Sequence, residues 1–277
     1  MERIFPEGRP VFLRFLAALG AAGFFLVPGC AEESRSPVPP DMALVWSDEF
    51  EGDGAPDPAK WEYALGGHGW GNAELQTYTN RRENSALRGG SLFITTRKEE
   101  GRWTSARLKT QYTASWTGGY FEIRARLPRG RGTWPAVWML PRADRYGSWP
   151  RSGEIDIVEH VGHDQDRIHG TAHTGAWNHR KNTQKTASVM VRDVSSRFHV
   201  YALEWDSRYL QWYVDGRPFY RYDNPGGGVE VWPFDIPFYL VLNVAIGGSW
   251  GGQEGVDEDL REAVMEVDYV RVYQRRP

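Results

Sequence analysis

The sequence has a single cysteine, Cys30, in 277 residues. No intramolecular disulfide can form, so the fold must rest on its core even if its destination is oxidising. A dominant charge is also lacking. Lys and Arg number 33 against 36 Asp and Glu, a formal net charge of -3, and a dedicated nucleic-acid binder would need a basic excess gathered on one face. No polyanionic partner is implied, and the chain is expected to act as a monomer. Sustained helical periodicity is missing as well, apart from a turn near Asp257 to Ala263, which excludes a helical domain.

What is abundant is aromatic: 13 Trp, 13 Tyr and 12 Phe make 14% of the residues. Large flat rings either fill a core or stack on planar and apolar surfaces such as the C–H faces of sugars, and composition leaves both readings open. About half of the tryptophans are expected in the core.

The N-terminus reads as a targeting segment. Arg3, Arg9 and Arg14 precede or open the apolar run Phe15 to Val27, which is too short for a comfortable membrane span. Residues 1–29 are therefore expected to be a signal peptide. Cys30 follows Leu26-Val27-Pro28-Gly29, which resembles a bacterial lipoprotein signal ending in a lipid-accepting Cys, although Pro28 departs from the usual small residue. Ordinary cleavage near the same point is the alternative, and either way the protein is expected to be exported. Residues 30–42, rich in Glu, Ser and Pro, read as a flexible tether between anchor and domain.

From residue 43 to 277, short β-rich runs alternate with turn residues. Ser91 to Thr96, Gly119 to Leu127, Leu210 to Val214 and Val267 to Tyr273 alternate with period two and are rich in β-branched and aromatic side chains. Asp215-Gly216 marks a tight hairpin, because both central residues must tolerate positive φ. The class is all-β, and many short strands in one uninterrupted region favour a two-sheet sandwich, with long loops shaping one surface.

The segment Gly153-Glu154-Ile155-Asp156-Ile157-Val158-Glu159 carries the chemistry. Residues two apart on a strand share a face, so Glu154 and Asp156 point the same way and strict alternation would put a third carboxylate at position 158. That position is Val. Glu159 reaches the same face only if a β-bulge within 156–159 resets the alternation. With it, the two Glu Cα atoms are ~13 Å apart, and side chains leaning inward on a curved sheet can close most of that gap. A retaining glycosidase needs about 5 to 5.5 Å between its two carboxyl groups. Three neighbouring acids also tune one another, so that one stays ionised while another stays protonated. The competing reading is an exposed strand of solvated acids. Against it stand Ile155, Ile157 and Val158, which make this a central strand with a core face.

The stretch Trp149 to Glu159 resembles the signature of glycoside hydrolase family 16, in the bulged form of its laminarinase branch. The resemblance spans nearly all of 45–273. It includes Trp46-Ser47-Asp48-Glu49-Phe50, Asn72 to Thr79, Gly132 to Leu140, Phe198 to Tyr201, Asn243 to Gly248 and Val267 to Tyr273. It implies a concanavalin A-like β-jelly-roll, a sandwich of two antiparallel sheets with a concave cleft. The implied activity is retaining endo-hydrolysis of β-1,3 bonds in β-1,3- or mixed-linkage glucans. By resemblance, Glu154 is the nucleophile, Glu159 the general acid/base, and Asp156 the helper that modulates the nucleophile.

The resemblance also places Trp134, Trp138 and Trp149 along the cleft, with Asn72, Glu74, Arg124, His173, Asn243 and Trp250 as further substrate contacts. Trp138, amid Ala136, Val137 and Met139, could instead be core, and His173 is similarly ambiguous. No catalytic cofactor is implied. Five of the seven histidines, His160, His163, His169, His173 and His179, cluster in sequence, but no helical His-Glu-x-x-His arrangement supports a catalytic metal. A structural Ca²⁺ is the metal the resemblance does imply, with Glu49, the Gly90 carbonyl and Asp268 as oxygen donors. Two other readings compete: a relative acting on lichenan or on galactans such as agar or carrageenan, and a non-catalytic carbohydrate-binding jelly-roll. A binder of neutral glucan would gain nothing from three mutually repelling carboxylates.

Overall fold

In a computed structural model the described residues are 38–276. The expected signal peptide 1–29, the lipidation candidate Cys30 and the tether up to residue 37 lie outside them. The domain begins slightly before the expected boundary at 43. The strand Met42–Asp48 opens with Met42 only 6% exposed, and Met42 packs with Val38, Tyr120 and Ala202 in a small apolar cluster.

Two sheets make up the molecule. The seven-stranded sheet runs Lys185–Met190, Arg167–His173, Glu154–Glu159, Thr133–Pro141, Phe238–Ile246, Arg107–Lys109, Glu62–Tyr63. Along its main path the ten-stranded sheet runs Arg217–Asp223, Tyr209–Val214, His199–Trp205, Gly119–Arg126, Glu262–Arg275, Ser91–Glu99, Arg102–Ser105, Gln76–Tyr78. Met42–Asp48 and Ser85–Arg88 join it by pairing with Glu262–Arg275 and Ser91–Glu99. All pairings between these strands are antiparallel except Gln76–Tyr78 with Arg102–Ser105, which is parallel and so departs from the expected purely antiparallel sheets. Among the described residues the only helices are short 3₁₀ turns, Gly69–Gly71 and His179–Lys181.

Period-two patterning explains the layers. In Gly119–Arg126, Phe121, Ile123 and Ala125 lie in the core between the sheets, and the residues between them point the other way. The hairpin at Asp215-Gly216 forms as its residues require, with φ of 49° and 72°. Six tryptophans, Trp61, Trp103, Trp116, Trp205, Trp212 and Trp232, are buried to 7% exposure or less, which matches the expected half.

Two of these core tryptophans are tied by their indole N–H. Trp205 donates to the Phe234 carbonyl at 3.1 Å, and Trp212 donates across the sandwich to the Asp156 carbonyl at 2.8 Å. The Trp212 ring lies so close to Gly170 that a Cβ there would fall 2.6 Å from a ring carbon, so only glycine fits. The strand bearing the carboxylates is thus anchored from beneath by a buried indole, as well as by strands on both sides.

Candidate active site

The strand Glu154–Glu159 is central in its sheet, paired with Thr133–Pro141 and Arg167–His173. Against Thr133–Pro141 the register runs Asp156 to Trp138 and then Val158 to Val137, which leaves Ile157 as an extra residue. This is the bulge that the spacing required. Ile155, Ile157 and Val158 are buried in the core, while Glu154, Asp156 and Glu159 all line a cleft of about 530 Å³. The extra residue thus restores a shared face to three acids whose spacing alone would have split them.

Each glutamate accepts one indole N–H. Trp149 donates to Glu154 Oε2 at 3.1 Å, and Trp134 donates to Glu159 Oε1 at 3.0 Å. Both rings line the cleft, so these tryptophans orient the carboxylates as well as offering apolar surface. Trp149 is itself partly covered, with the His179 ring 4.7 Å from its centroid and the Arg180 guanidinium 4.6 Å away. Trp138 also belongs to the cleft: its indole donates to Asn243 Oδ1 at 2.7 Å, and Asn243 Nδ2 donates to the Tyr78 hydroxyl at 3.0 Å. Asn72 and Glu74 line the same end. Asn72 donates to Glu74 Oε1 at 3.2 Å, while Gln76 donates to Glu74 Oε2 at 2.6 Å.

One assignment needs correction, and two others are placed by their neighbours. Arg124 is on the other sheet, where it pairs with Asp268 at 2.6 Å and stacks on Phe198. Alternation with Phe121, Ile123 and Ala125 turns it away from the core and away from the cleft. His173 is only 6% exposed and sits among the acids, its Nε2 3.5 Å from Glu154 Oε1 and 3.4 Å from Asp156 Oδ2. It contacts those two carboxyls. Trp250 stands edge-on to Trp134, centroids 5.6 Å apart, and to the His169 ring, 4.9 Å away.

The calcium donors fare no better. Both oxygens of Glu49 accept from Arg271, at 3.0 and 2.7 Å, and Asp268 is taken by Arg124. A dication placed among Glu49, the Gly90 carbonyl and Asp268 would face two guanidinium groups, so the set does not fit calcium as it stands.

Sequence reasoning missed Arg107 and Trp70. The Arg107 guanidinium lies between two rings, 4.5 Å from the Trp70 centroid and 4.6 Å from that of Trp138, and it forms no ion pair among the described residues. A desolvated cation held between indole faces is worth about 1 to 2 kcal/mol of attraction. Trp70 adopts φ 50° and ψ 28°, the left-handed region that a bulky side chain rarely enters. The run Gly69-Trp70-Gly71 beside Asn72 was the available signal for it. Nothing local marks Arg107, because its partners come from a distant loop and a distant strand.

Burial dominates the electrostatics. It pushes the Glu154 carboxyl up to about 8, with repulsion from Asp156 second and the nearby His173 opposing both. Glu159 is raised to about 8 by the same burial and by Asp156, against His173 and the Trp134 hydrogen bond. Burial holds Asp156 well above the ordinary carboxylate range. No Lys or Arg pairs with the three among the described residues. At neutral pH the cluster therefore keeps protons that free carboxyls would have lost, and it can present a proton donor and an ionised carboxylate on one face.

Two carboxyls fixed on one strand in an aromatic-walled cleft define a hydrolytic centre of the glycosidase type. Comparisons with known proteins agree. The family described as glycosyl hydrolases family 16 matches residues 72–271. A β-glucanase of Rhodothermus marinus is 54% identical over 259 residues, 89% of this chain and 91% of that protein. The crystal structure of the laminarinase from Rhodothermus marinus superposes with a TM-score of 0.83 at 55% identity, covering 85% of this chain and 98% of that one. SCLam, a non-specific endo-β-1,3(4)-glucanase, gives a TM-score of 0.82 at 47% identity over 86% of this chain and 93% of its own. The chain is a glycoside hydrolase. More narrowly, it belongs to glycosyl hydrolase family 16, and its jelly-roll sandwich is the fold of the laminarinase structures.

Proposed function

We propose that the chain is a retaining endo-β-1,3-glucanase acting on β-1,3- or mixed-linkage glucans, with Glu154 as nucleophile, Glu159 as general acid/base and Asp156 as modulator of Glu154. The observation that carries this reading is the bulge at Ile157, which turns both glutamates into one cleft where each is oriented by an indole N–H. The similar laminarinases and the β-1,3(4)-glucanase support the substrate class.

In the first displacement, a Glu154 oxygen bonds to the anomeric carbon as the glycosidic C–O bond breaks, and Glu159 delivers its proton to the departing oxygen. Water then attacks the anomeric carbon, the bond to Glu154 breaks, and Glu159 takes a proton from that water. Asp156, 3% exposed and held above its ordinary titration range, is suited to share a proton with its neighbours instead of adding a full charge beside the nucleophile. Neither displacement calls on a metal.

Azide tests the assignment, using a β-linked glucoside with an activated leaving group. Glu154→Gly and Glu159→Ala should both be nearly inactive on laminarin. With azide, Glu154→Gly should yield the α-glycosyl azide by one inversion. Glu159→Ala should yield the β-glycosyl azide by two. Exchanged anomers, or near-normal turnover by Glu154→Gly, would overturn the roles.

Export is proposed on the sequence alone, from the basic start, the apolar run to Val27 and Cys30 behind it. If Cys30 carries the lipid, Cys30→Ser moves the enzyme from the membrane to the soluble fraction at unchanged specific activity.

A further inference from the structure

The carboxylates are more than an acid pair, because a histidine nitrogen completes a compact donor set. His173 Nε2, an oxygen of Glu154 and an oxygen of Asp156 all lie within 4.8 Å of one another. The two edges from His173 Nε2 are 3.5 Å to Glu154 Oε1 and 3.4 Å to Asp156 Oδ2. A tetrahedral ion with bonds of about 2.1 Å has edges of about 3.4 Å between its donors. Two edges of the set therefore already have the length that such an ion requires.

A second observation points the same way. Asp156 is 3% exposed, and its Oδ2, the oxygen that faces His173, has no hydrogen-bond partner among the described residues. A buried carboxylate oxygen left without a donor is costly, and a cation there would satisfy it. Sequence logic explains why the donors meet. Glu154 is the register partner of His173, and Asp156 is that of Thr171, so both acids and the histidine project from one face of two adjacent strands.

We propose that Glu154, Asp156 and His173 form a binding site for a borderline transition-metal dication, Zn²⁺ or Cu²⁺, so that such an ion reversibly occupies and blocks the catalytic centre. One imidazole nitrogen with two carboxylate oxygens suits zinc or copper and disfavours calcium and magnesium, which take oxygen cages. The cleft leaves the remaining position to water. His173 Nδ1 has no hydrogen-bond partner among the described residues, which include no orienting acceptor of the kind that strengthens resident metal–histidine sites. That absence suits an inhibitory ion better than a permanent one.

Calorimetry of the intact protein with ZnCl₂ in a non-chelating buffer tests the site without reference to any sugar. One Zn²⁺ should bind per chain, and CaCl₂ at the same concentration should not compete. His173→Gln and Asp156→Asn should each weaken binding on the order of 10- to 100-fold, whereas His163→Gln should bind as the wild type does. With Cu²⁺, electron paramagnetic resonance should show coupling to an imidazole nitrogen that is lost in His173→Gln. No saturable zinc binding by the wild type, or unchanged binding by both His173→Gln and Asp156→Asn, overturns the proposal. Melting curves identify a variant that fails to fold, and the other variant then decides. Inhibition of glucan hydrolysis with a constant equal to the calorimetric Kd, reversed by EDTA, is the further expectation. It rests on the proposed activity, whereas the calorimetry does not.

Discussion

On the ten-stranded sheet, and on the chain leading from its first strand, acids lie against arginines: Glu49 against Arg271, Asp268 against Arg124, Glu266 against Arg126. On the seven-stranded sheet Glu154, Asp156 and Glu159 have no arginine or lysine ion pair among the described residues; His173 and two indole N–H groups adjoin them, and Arg107 acts on Glu154 through its charge alone. The titration shifts follow. The Arg271 hydrogen bond holds Glu49 below the ordinary carboxylate range, while burial pushes Glu154 and Glu159 up to about 8. An acid with a cation beside it stabilises the fold as a charge, and an acid buried without one is kept for its proton at some cost to the fold.

Stability should therefore depend on pH in opposite senses at the two places. Glu49 binds its proton less tightly folded than unfolded, so its contribution is present above the ordinary range and lost as pH falls. Glu154 and Glu159 bind theirs more tightly in the folded state. Their contribution is fully present in acid and declines as pH rises from the ordinary carboxylate range through about 8.

The largest effect expected from breaking this contrast is in Glu154→Gln. Turnover of laminarin should fall on the order of 10³-fold or more. At pH 7 the variant should be more stable than wild type by roughly 1 kcal/mol or more, since an amide, unlike a carboxyl ionised in the unfolded chain, need not take up a proton to be buried. That gain should disappear near pH 4. Chemical denaturation at both pH values measures it, and a destabilised variant at pH 7 would contradict the account. A smaller effect is expected of Trp134→Phe, which deletes the N–H that lowers the Glu159 pKa. One hydrogen bond of about 1 kcal/mol should move the alkaline limb of kcat/KM upward by roughly 0.7 unit. A downward shift would mean that Trp134 does not hold the acid. Smallest is Arg271→Gln on the other sheet. Both partners of that pair are about a third exposed, so the loss should be about 1 kcal/mol or less, diminish with added salt and leave kcat unchanged.

The bulge in the carboxylate-bearing strand was legible because parity is an arithmetic property of sequence. Val at 158 and Glu at 159 are reconciled only by an extra residue, and Ile157 supplies it. Parity could not place Arg124, because it alternates with core residues as the cleft acids do, and which sheet its strand joins depends on pairing with His199–Trp205 and Glu262–Arg275, distant in the chain. The hairpin at Asp215-Gly216 was readable because its chemistry is local. Arg107 was not, because its place depends on Trp70 and Trp138 arriving from elsewhere in the chain. The position of His173 needed the register between two strands, which no spacing within either strand encodes.

The bulge also bears on how this segment can change length. In the unbulged pairing of Phe238–Ile246 with Thr133–Pro141, loss of one residue would turn every side chain beyond it to the opposite face. Removing Ile157 would do otherwise. Glu154, Asp156 and Glu159 would fall at the first, third and fifth places of a regular strand, still facing one way, and the loss would register as a change in local twist with one aliphatic side chain missing from the core. At this position a three-nucleotide deletion is compatible with keeping the order and facing of the acids, so the length of the segment can drift while its chemistry stays in frame.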